Sequence, residues 1–506
     1  MDPRPLYQRI AEHYRRAIHQ GVLAAGSRLP SVRSLMRWHG ISLSTALQAC
    51  RELESEGLVQ AKARSGYFVL RPERLRLPSV REPDTSRTPE HASDTGMHDR
   101  VSAFVTQSER YPCSVDFAGG VAASHLYPVD LLRRSMARAL RSHAQVLVQP
   151  VPRQGHPFFR AVLARRALAQ GVNASADDII VTHGCVEALN LALRAVAMPG
   201  DTIAVESPAY YGLLQILESL GMRALEIPTS PQSGISVDAL DLAFQAYPCI
   251  KAVVVVPNRH NPLGCVMPDS EKARLVALCE RQGVAVIEDD TYGLLADNAV
   301  APAALKAWDA TGNVIFCASL HKTVAPGMRL GWMIGGRWHA RVTMLKYVQS
   351  RPNEPLAQLA VAEFMESSAY DRHLARLCHH LKRQREQMAQ AIAVHFPSGT
   401  RMNMPGGGMF LWIELPDGRS AQDMFELGLK EGIRIIPGSM FSGTGRFDHC
   451  VRISCGEPFT AKLEHAVRTL AATISNERDG RPGSAVAAQR VGSRPQGQMA
   501  GSGSRA

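Results

Sequence analysis

The stretch Ser319 to Trp332, SLHKTVAPGMRLGW, sets one amine, Lys322, between a hydroxyl three residues before it, Ser319, and a guanidinium seven after it, Arg329. A lysine amine can condense with an aldehyde to a Schiff base, and a serine hydroxyl with an arginine fork can hold a phosphate. Alone, the stretch reads equally well as a solvated loop. Other short runs bear on the choice. His183, Gly184 and Cys185 end a strand-like run and open a helical one, so the Gly184 and Cys185 amides can face an anion at a helix N-terminus. Tyr210, in SPAYYG, can lay a ring over a planar ligand. Asn261 in NPLG and Asp289 in EDDTYG also follow strand-like runs, where a turn and a helix cap are the plain readings.

The elements around these runs decide what they can do together. DDIIVT, DTIAVE, CIKAVVVV, VAVIED and NVIFCAS alternate with helical stretches such as CVEALNLALRAVA and SEKARLVALCERQG. That alternation predicts an α/β fold with a mostly parallel sheet covered by helices. In such a sheet ligands collect at the carboxyl ends of the strands, where each of the short runs sits. Long helical stretches follow at about 337–350 and 356–393. NMPGGGMFLWIEL, RIIPGS, CVRISCG and a last helix from Thr460 then predict a smaller α+β unit at about 395–474, within a large unit spanning 113–474.

At the other end, Leu6, Ile10, Tyr14 and Ile18 recur at helical spacing, Ser31 opens a second helix that Gly40 stops, and Ser42 caps a third. LVQAKARSGYFVL then reads as a hairpin with a basic turn. Three helices and a hairpin predict a winged helix-turn-helix over residues 1–71. The chain carries 57 Lys and Arg against 46 Asp and Glu, a net charge of +11, and this head alone holds eleven bases against five acids. A locally basic head points to a polyanion partner. Residues 72–112, rich in Pro, Ser and mixed charge, are expected to be a flexible linker, and 475–506 a disordered tail. The ten cysteines show no metal-ligand spacing and read as thiols of a reducing compartment, with no metal and no disulfide. The N-terminus lacks a secretory apolar run and no stretch is long enough to span a bilayer, so a cytoplasmic protein with no membrane segment is expected.

SPAYYG, NPLG, EDDTYG, SLHKTVAPGMRLG and VRISCG, in this order, resemble the successive signatures of fold-type I, pyridoxal-phosphate-dependent aminotransferases. GSRLPSVRSL, SLSTALQACRELESEGLV and RSGYFV resemble the GntR family of winged-helix regulators. The two together resemble the MocR subfamily of GntR-family transcription regulators. The resemblance implies pyridoxal 5′-phosphate as cofactor, with Lys322 in Schiff-base linkage to it. Asp289 would protonate the pyridine nitrogen, Asn261 and Tyr292 would bond the ring hydroxyl, and Tyr210 would stack on the ring. Gly184, Cys185, Ser319 and Arg329 would bind the phosphate, and Arg452 a ligand α-carboxylate. In the head, Arg33, Ser42, Ser44 and Thr45 match DNA-contacting positions, with Lys62 and Arg64 on the wing. The chain departs from the family in LVQPVPRQGH, which lacks the tyrosine that reaches a neighbouring subunit's phosphate, and in Leu43, where many members have a base.

Two leading readings stay open at this point, beside a third in which the winged helix docks a protein. One is a regulator whose aminotransferase-like part senses pyridoxal phosphate or an amino compound; the other is a working aminotransferase with an accessory DNA-binding head. Both imply a homodimer, an operator DNA and an amino acid or amine ligand. Deleting residues 1–71 is expected to abolish DNA binding in a fluorescence anisotropy assay while leaving the visible absorbance of bound cofactor intact. A truncated protein that still binds DNA would refute this division.

Overall fold

The computed structural model describes residues 5–19, 22–24, 26–55, 58–62, 65–69, 75–89, 92–298 and 301–475. The expected tail lies outside them except for Ser475, which closes the last helix. In the head, α1 (Leu6–His19) buries Ile10, Ala11, Tyr14 and Ile18 on one face, as their spacing requires. α2 (Val32–His39) starts at Ser31, whose hydroxyl accepts the Ser34 amide at 3.1 Å, and stops at Gly40, whose φ of 61° suits a residue without a Cβ. α3 (Leu43–Ser55) turns Ala46, Cys50 and Leu53 onto α1. β1 (Val59–Lys62) and β2 (Gly66–Val69) pair antiparallel, with Val59 opposite Val69. The winged helix-turn-helix stands as expected.

Residues 78–81 and 93–109 depart from the expected flexible linker. The Val80 amide donates to Asn403 Oδ1 (3.1 Å), the Arg81 amide to Glu414 Oε2 (2.9 Å), and the Met402 amide to Pro78 O (2.9 Å). A strap held through peptide groups shows no side-chain period, so composition misreads it. α4 (Met97–Glu109) follows, and it does carry a signal: Met97, Val101 and Phe104 recur at helical spacing and pack into the cores. β3 (Val115–Asp116) lies just beyond the segment.

The large unit continues through α5 (Val129–Ser142), α6 (Pro157–Ala167), β4 (Ile179–Thr182), α7 (Cys185–Val196), β5 (Thr202–Ser207), α8 (Tyr211–Ser219), β6 (Arg223–Ser230), β7 (Gly234–Ile235) and α9 (Val237–Ala246). It runs on through β8 (Ile250–Val255), α10 (Asp269–Arg281), β9 (Ala285–Asp289), β10 (Val314–Ser319) and β11 (Gly331–Ile334). Among the described residues these strands form one sheet in the order β4-β11-β10-β9-β8-β5-β6-β7. Neighbours from β10 to β6 are parallel, whereas β11 runs antiparallel to both β10 and β4. The segment from Ser319 to Gly331 is therefore the connection of a hairpin at the carboxyl edge. Gly331 lies opposite Ser319 on one side and Thr182 on the other, which brings the turn at Gly184 beside the Lys322 loop.

α11 (His339–Gln349), α12 (Pro355–Glu366) and α13 (Ser368–His395) lead to the smaller unit of β12 (Arg401–Met402), β13 (Phe410–Glu414), α14 (Ala421–Lys430), β14 (Ile433–Arg434), β15 (Ile436–Pro437), β16 (Cys450–Ser454) and α15 (Ala461–Ser475). Its sheet has the order β12-β13-β16-β15, and β14 pairs with β3 in parallel. The smaller core therefore takes in Val115 and Phe117, and Met388 and Ile392 of α13, beyond the expected start near 395. A two-residue pairing across more than 300 positions leaves no local pattern. Among the described residues no helix is long and apolar enough to cross a membrane.

Arg385 joins α13 to the loop before β13. Its side chain is 1% exposed, and it donates to Asp297 Oδ1 (2.6 Å), Asp297 Oδ2 (2.5 Å) and Gly408 O (2.7 Å). Arg385→Met leaves the partly buried Asp297 carboxylate and the Gly408 carbonyl without this donor and is expected to lower stability by about 1–3 kcal/mol, read from urea unfolding.

Candidate active site

Gly184, Cys185, Tyr210, Asn261, Asp289, Tyr292, Ser319, Lys322 and Arg329 all line one cavity at the carboxyl edge of the sheet. Gly184 caps α7 with φ 97°, and a Cβ built on it would lie 3.5 Å from Arg329 Nη2. A Cβ on Gly331 would come within 2.6 Å of the Gly184 Cα, so bare backbone is what lets the two turns touch. Arg329 donates from Nη2 to His183 O (3.2 Å) and from Nη1 to His321 Nδ1 (2.7 Å). Burial, then Lys322 and Arg329, push the His321 pKa down to about 4, so the ring stays neutral and accepts that bond. Ser319, the last residue of β10, accepts the His321 amide at 3.1 Å. Helix N-terminus, hydroxyl and guanidinium thus surround one small space fit for a phosphate.

Asp289 ends β9 and is 7% exposed. Its Oδ1 accepts the Thr291 hydroxyl (2.6 Å), the Thr291 amide (3.0 Å) and the Cys185 thiol (3.1 Å). Burial raises the carboxyl pKa, and these donors oppose the rise. The Cys185 pKa is pushed well up by burial and by Asp289, so the thiol stays protonated and donates. Asp290 faces away from the cavity, toward Gln170 Nε2 (2.6 Å) and Asn258 Nδ2 (3.3 Å), as strand alternation demands.

The Lys322 amine lies 5.7 Å from the Tyr292 ring centroid, and a Cβ on Gly120 would come 3.5 Å from it. Burial first, then Arg452, bring its pKa down to about 8, with Asp289 opposing. Tyr292 meets Phe410 edge-on at 5.4 Å, and Tyr210 packs on Tyr211 at 5.1 Å. Burial raises both phenol pKa values, keeping the hydroxyls neutral.

Arg452 does not line the cavity itself but stands behind Asn261, donating to its Oδ1 (3.0 Å) and to Ala118 O (2.6 Å). Its guanidinium carbon lies 4.2 Å from the Phe410 ring centroid and 5.3 Å from that of Phe441, and its Nε is buried without a partner. Sequence reasoning missed Thr291, His321 and Val186 in the cavity wall. The first two lie inside the motifs already singled out, and only their side-chain direction was unreadable.

In the head, Ser42 accepts the Thr45 amide (3.2 Å), and its hydroxyl lies 2.9 Å from that of Ser44 and 2.8 Å from that of Thr45. These three cluster at the exposed start of α3, with Arg33 exposed on α2. Lys62 is exposed at the hairpin end, its amine 4.8 Å from the Phe68 ring centroid. Arg64 falls outside the described residues.

Residues 123–470 match the family of class I and II aminotransferases, and residues 6–69 the gntR family of bacterial regulatory proteins. The HTH-type transcriptional regulator YjiR of Escherichia coli K12 is 36% identical over 471 residues, covering 92% of this chain and 98% of that protein. The 2-aminoadipate transaminase of Thermus thermophilus is 28% identical, over 71% of this chain and 89% of its own. The crystal structure of Pyrococcus horikoshii kynurenine aminotransferase superposes with a TM-score of 0.70 at 26% identity, covering 75% of this chain and 95% of that one. The chain therefore belongs to the class I and II aminotransferase family and, through the gntR head that precedes that fold, to the MocR subfamily of GntR-family regulators.

Proposed function

We propose that this protein is a DNA-binding transcription regulator whose aminotransferase-like part binds pyridoxal 5′-phosphate and senses the cofactor or an amino compound brought to it. The observation that carries the reading is one cavity in which a half-buried amine, a buried carboxylate and a phosphate-sized cradle meet, in a chain that also bears a winged helix. The residues fit the cofactor. Gly184, at φ 97°, takes a backbone conformation that a side chain would strain, and Asp289 has its Oδ1 bonded by three donors, leaving Oδ2 for a ring nitrogen. When bound, pyridoxal phosphate supplies an aldehyde that condenses with amines and a ring that withdraws electrons from the carbon beside them.

Each side chain then has a task. Lys322 offers an amine that is about half unprotonated near pH 8, ready to attack an aldehyde. Asp289 holds a proton on the pyridine nitrogen, with Thr291 and Cys185 keeping its carboxylate oriented. Asn261 and Tyr292 bond the ring hydroxyl, and Tyr210 covers the ring. The Gly184 and Cys185 amides, Ser319 and Arg329 grip the phosphate, and Arg452 takes the α-carboxylate of an amino acid. Arg33, Ser42, Ser44, Thr45 and Lys62 face the DNA. Exposed apolar side chains on α5, α7 and α11, Val129 (63%), Val186 (48%), Met344 (50%) and Val348 (79%), favour a second copy of the chain beside the site.

Regulation requires that the ligand bind one arrangement of the protein better than another. A visible absorbance titration with amino acids and amines, with keto acid assayed in the same samples, tests this. For a sensor, one ligand moves the band, keto acid stops at about one equivalent, and the same ligand changes DNA affinity. Many turnovers with DNA affinity unchanged would mean a transaminase instead. Lys322→Ala is expected to remove the amine-linked visible band while preserving the far-ultraviolet circular dichroism. In the parent, the rate of cofactor uptake should climb as pH rises through about 8 and level off above it, since deprotonation yields the attacking amine.

A further inference from the structure

We propose that Arg100 of α4 is a positioning residue for the α-carboxylate pocket. It ties the wall that supports Arg452 to the segment joining the head to the large unit, so that occupancy of the pocket alters α4. The proposal rests on the reading of Arg452 given above.

Arg100 sits in the first turn of α4. Its Nη1 donates to Ser439 O (3.1 Å) and Ser442 O (2.8 Å), and its Nη2 to Gly443 O (2.7 Å) and Thr95 O (2.7 Å). Three of these four carbonyls belong to one loop between β15 and β16. A guanidinium bonded to carbonyls makes charge-assisted bonds, stronger than neutral ones. Glu226 of β6 grips the same loop from its other side. It accepts the Gly443 amide (2.6 Å), the Ser442 hydroxyl (2.9 Å) and the Ser207 hydroxyl at the end of β5 (2.7 Å).

Phe441 is the inward residue of that loop, fully buried. Its carbonyl accepts the Ala209 amide (2.8 Å), one residue before Tyr210. Its ring lies 5.3 Å from the Arg452 guanidinium and meets Trp412 (5.4 Å) and Tyr211 (6.0 Å) edge-on. Because Phe441 packs against the Arg452 guanidinium, a shift of Arg452 toward a carboxylate changes the packing of that ring, and the close-packed wall passes the change to the carbonyls held by Arg100. The start of α4 is held a second time by Glu218 at the end of α8. Glu218 accepts the Met97 amide (2.5 Å), the His98 amide (3.1 Å) and the Thr95 hydroxyl (3.0 Å). α8 opens at Tyr211, beside the ring-covering Tyr210. Both segments that flank the pocket therefore end on α4.

Hydrogen–deuterium exchange on the full chain tests the proposal with two loads: pyridoxal phosphate, and N-(5′-phosphopyridoxyl)-L-alanine, which adds an α-carboxylate. In the parent, the adduct is expected to slow exchange both at 439–443 and across 97–109. In Arg100→Met the slowing at 439–443 remains and that at 97–109 disappears. The affinity for the adduct falls about tenfold, and that for pyridoxal phosphate stays unchanged. An α4 response of equal size in parent and variant, or none in the parent, overturns the proposal while leaving the sensing reading intact. If the adduct binds the parent no better than pyridoxal phosphate does, the Arg452 reading falls and this proposal with it. Should Arg100→Met fail to fold by circular dichroism, Arg100→Lys makes the same test, because it keeps the charge but not the planar fork that spans four carbonyls.

Discussion

Three cations, Lys322, Arg329 and Arg452, converge on or directly behind one cavity, and among its described lining residues Asp289 is the acid that faces them. Much of the local structure answers to that imbalance. The Lys322 pKa falls to about 8, and His321 stays neutral so that it can accept from Arg329. Arg452, with no carboxylate bonded to it among the described residues, rests on the rings of Phe410 and Phe441, whose π faces stabilise a cation. A partly enclosed site with surplus positive charge attracts anions, and a phosphate with a carboxylate would balance it.

The convergence is a property of the sheet before it is a property of any side chain. Because β11 turns back antiparallel between β10 and β4, the loop carrying Lys322 and Arg329 is pinned at one end to Ser319 and faces Thr182 at the other. Gly331 lets two turns meet at backbone distance, since a Cβ on it would come within 2.6 Å of the Gly184 Cα. The carboxyl end of β9 and the loops that follow β5 and β8 then deliver Asp289, Tyr210 and Asn261 to the same edge.

The smaller unit enters the site from behind, through Arg452 and Phe441, and α4 is wedged where that unit meets α8. The strap from Leu75 to Pro89 continues the attachment on the far side, with Arg81 paired to Glu414 (3.1 Å) and Asp417 (2.9 Å). The chain between head and site is thus bound along its described length to both units, and motion in either has a path to it.

The residues proposed to meet the cofactor were legible in the sequence because each lies in a short run at the end of a strand, and strand ends in a parallel sheet share one edge. The head was legible because its helices are amphipathic and capped, signals that act within a few residues, as at Ser31 and Gly40. Thr291 and His321 sat inside those runs unnoticed, since side-chain direction depends on the local backbone and not on neighbours in the string. Composition alone misread residues 72–112, although Met97, Val101 and Phe104 carried a helical period. What only the tertiary structure decided are contacts between distant segments: Arg100 with the 439–443 loop, β3 with β14, Arg452 behind Asn261. The reason is physical, because capping and periodicity are local interactions, whereas these contacts exist only after packing has brought together segments separated by as many as 343 residues.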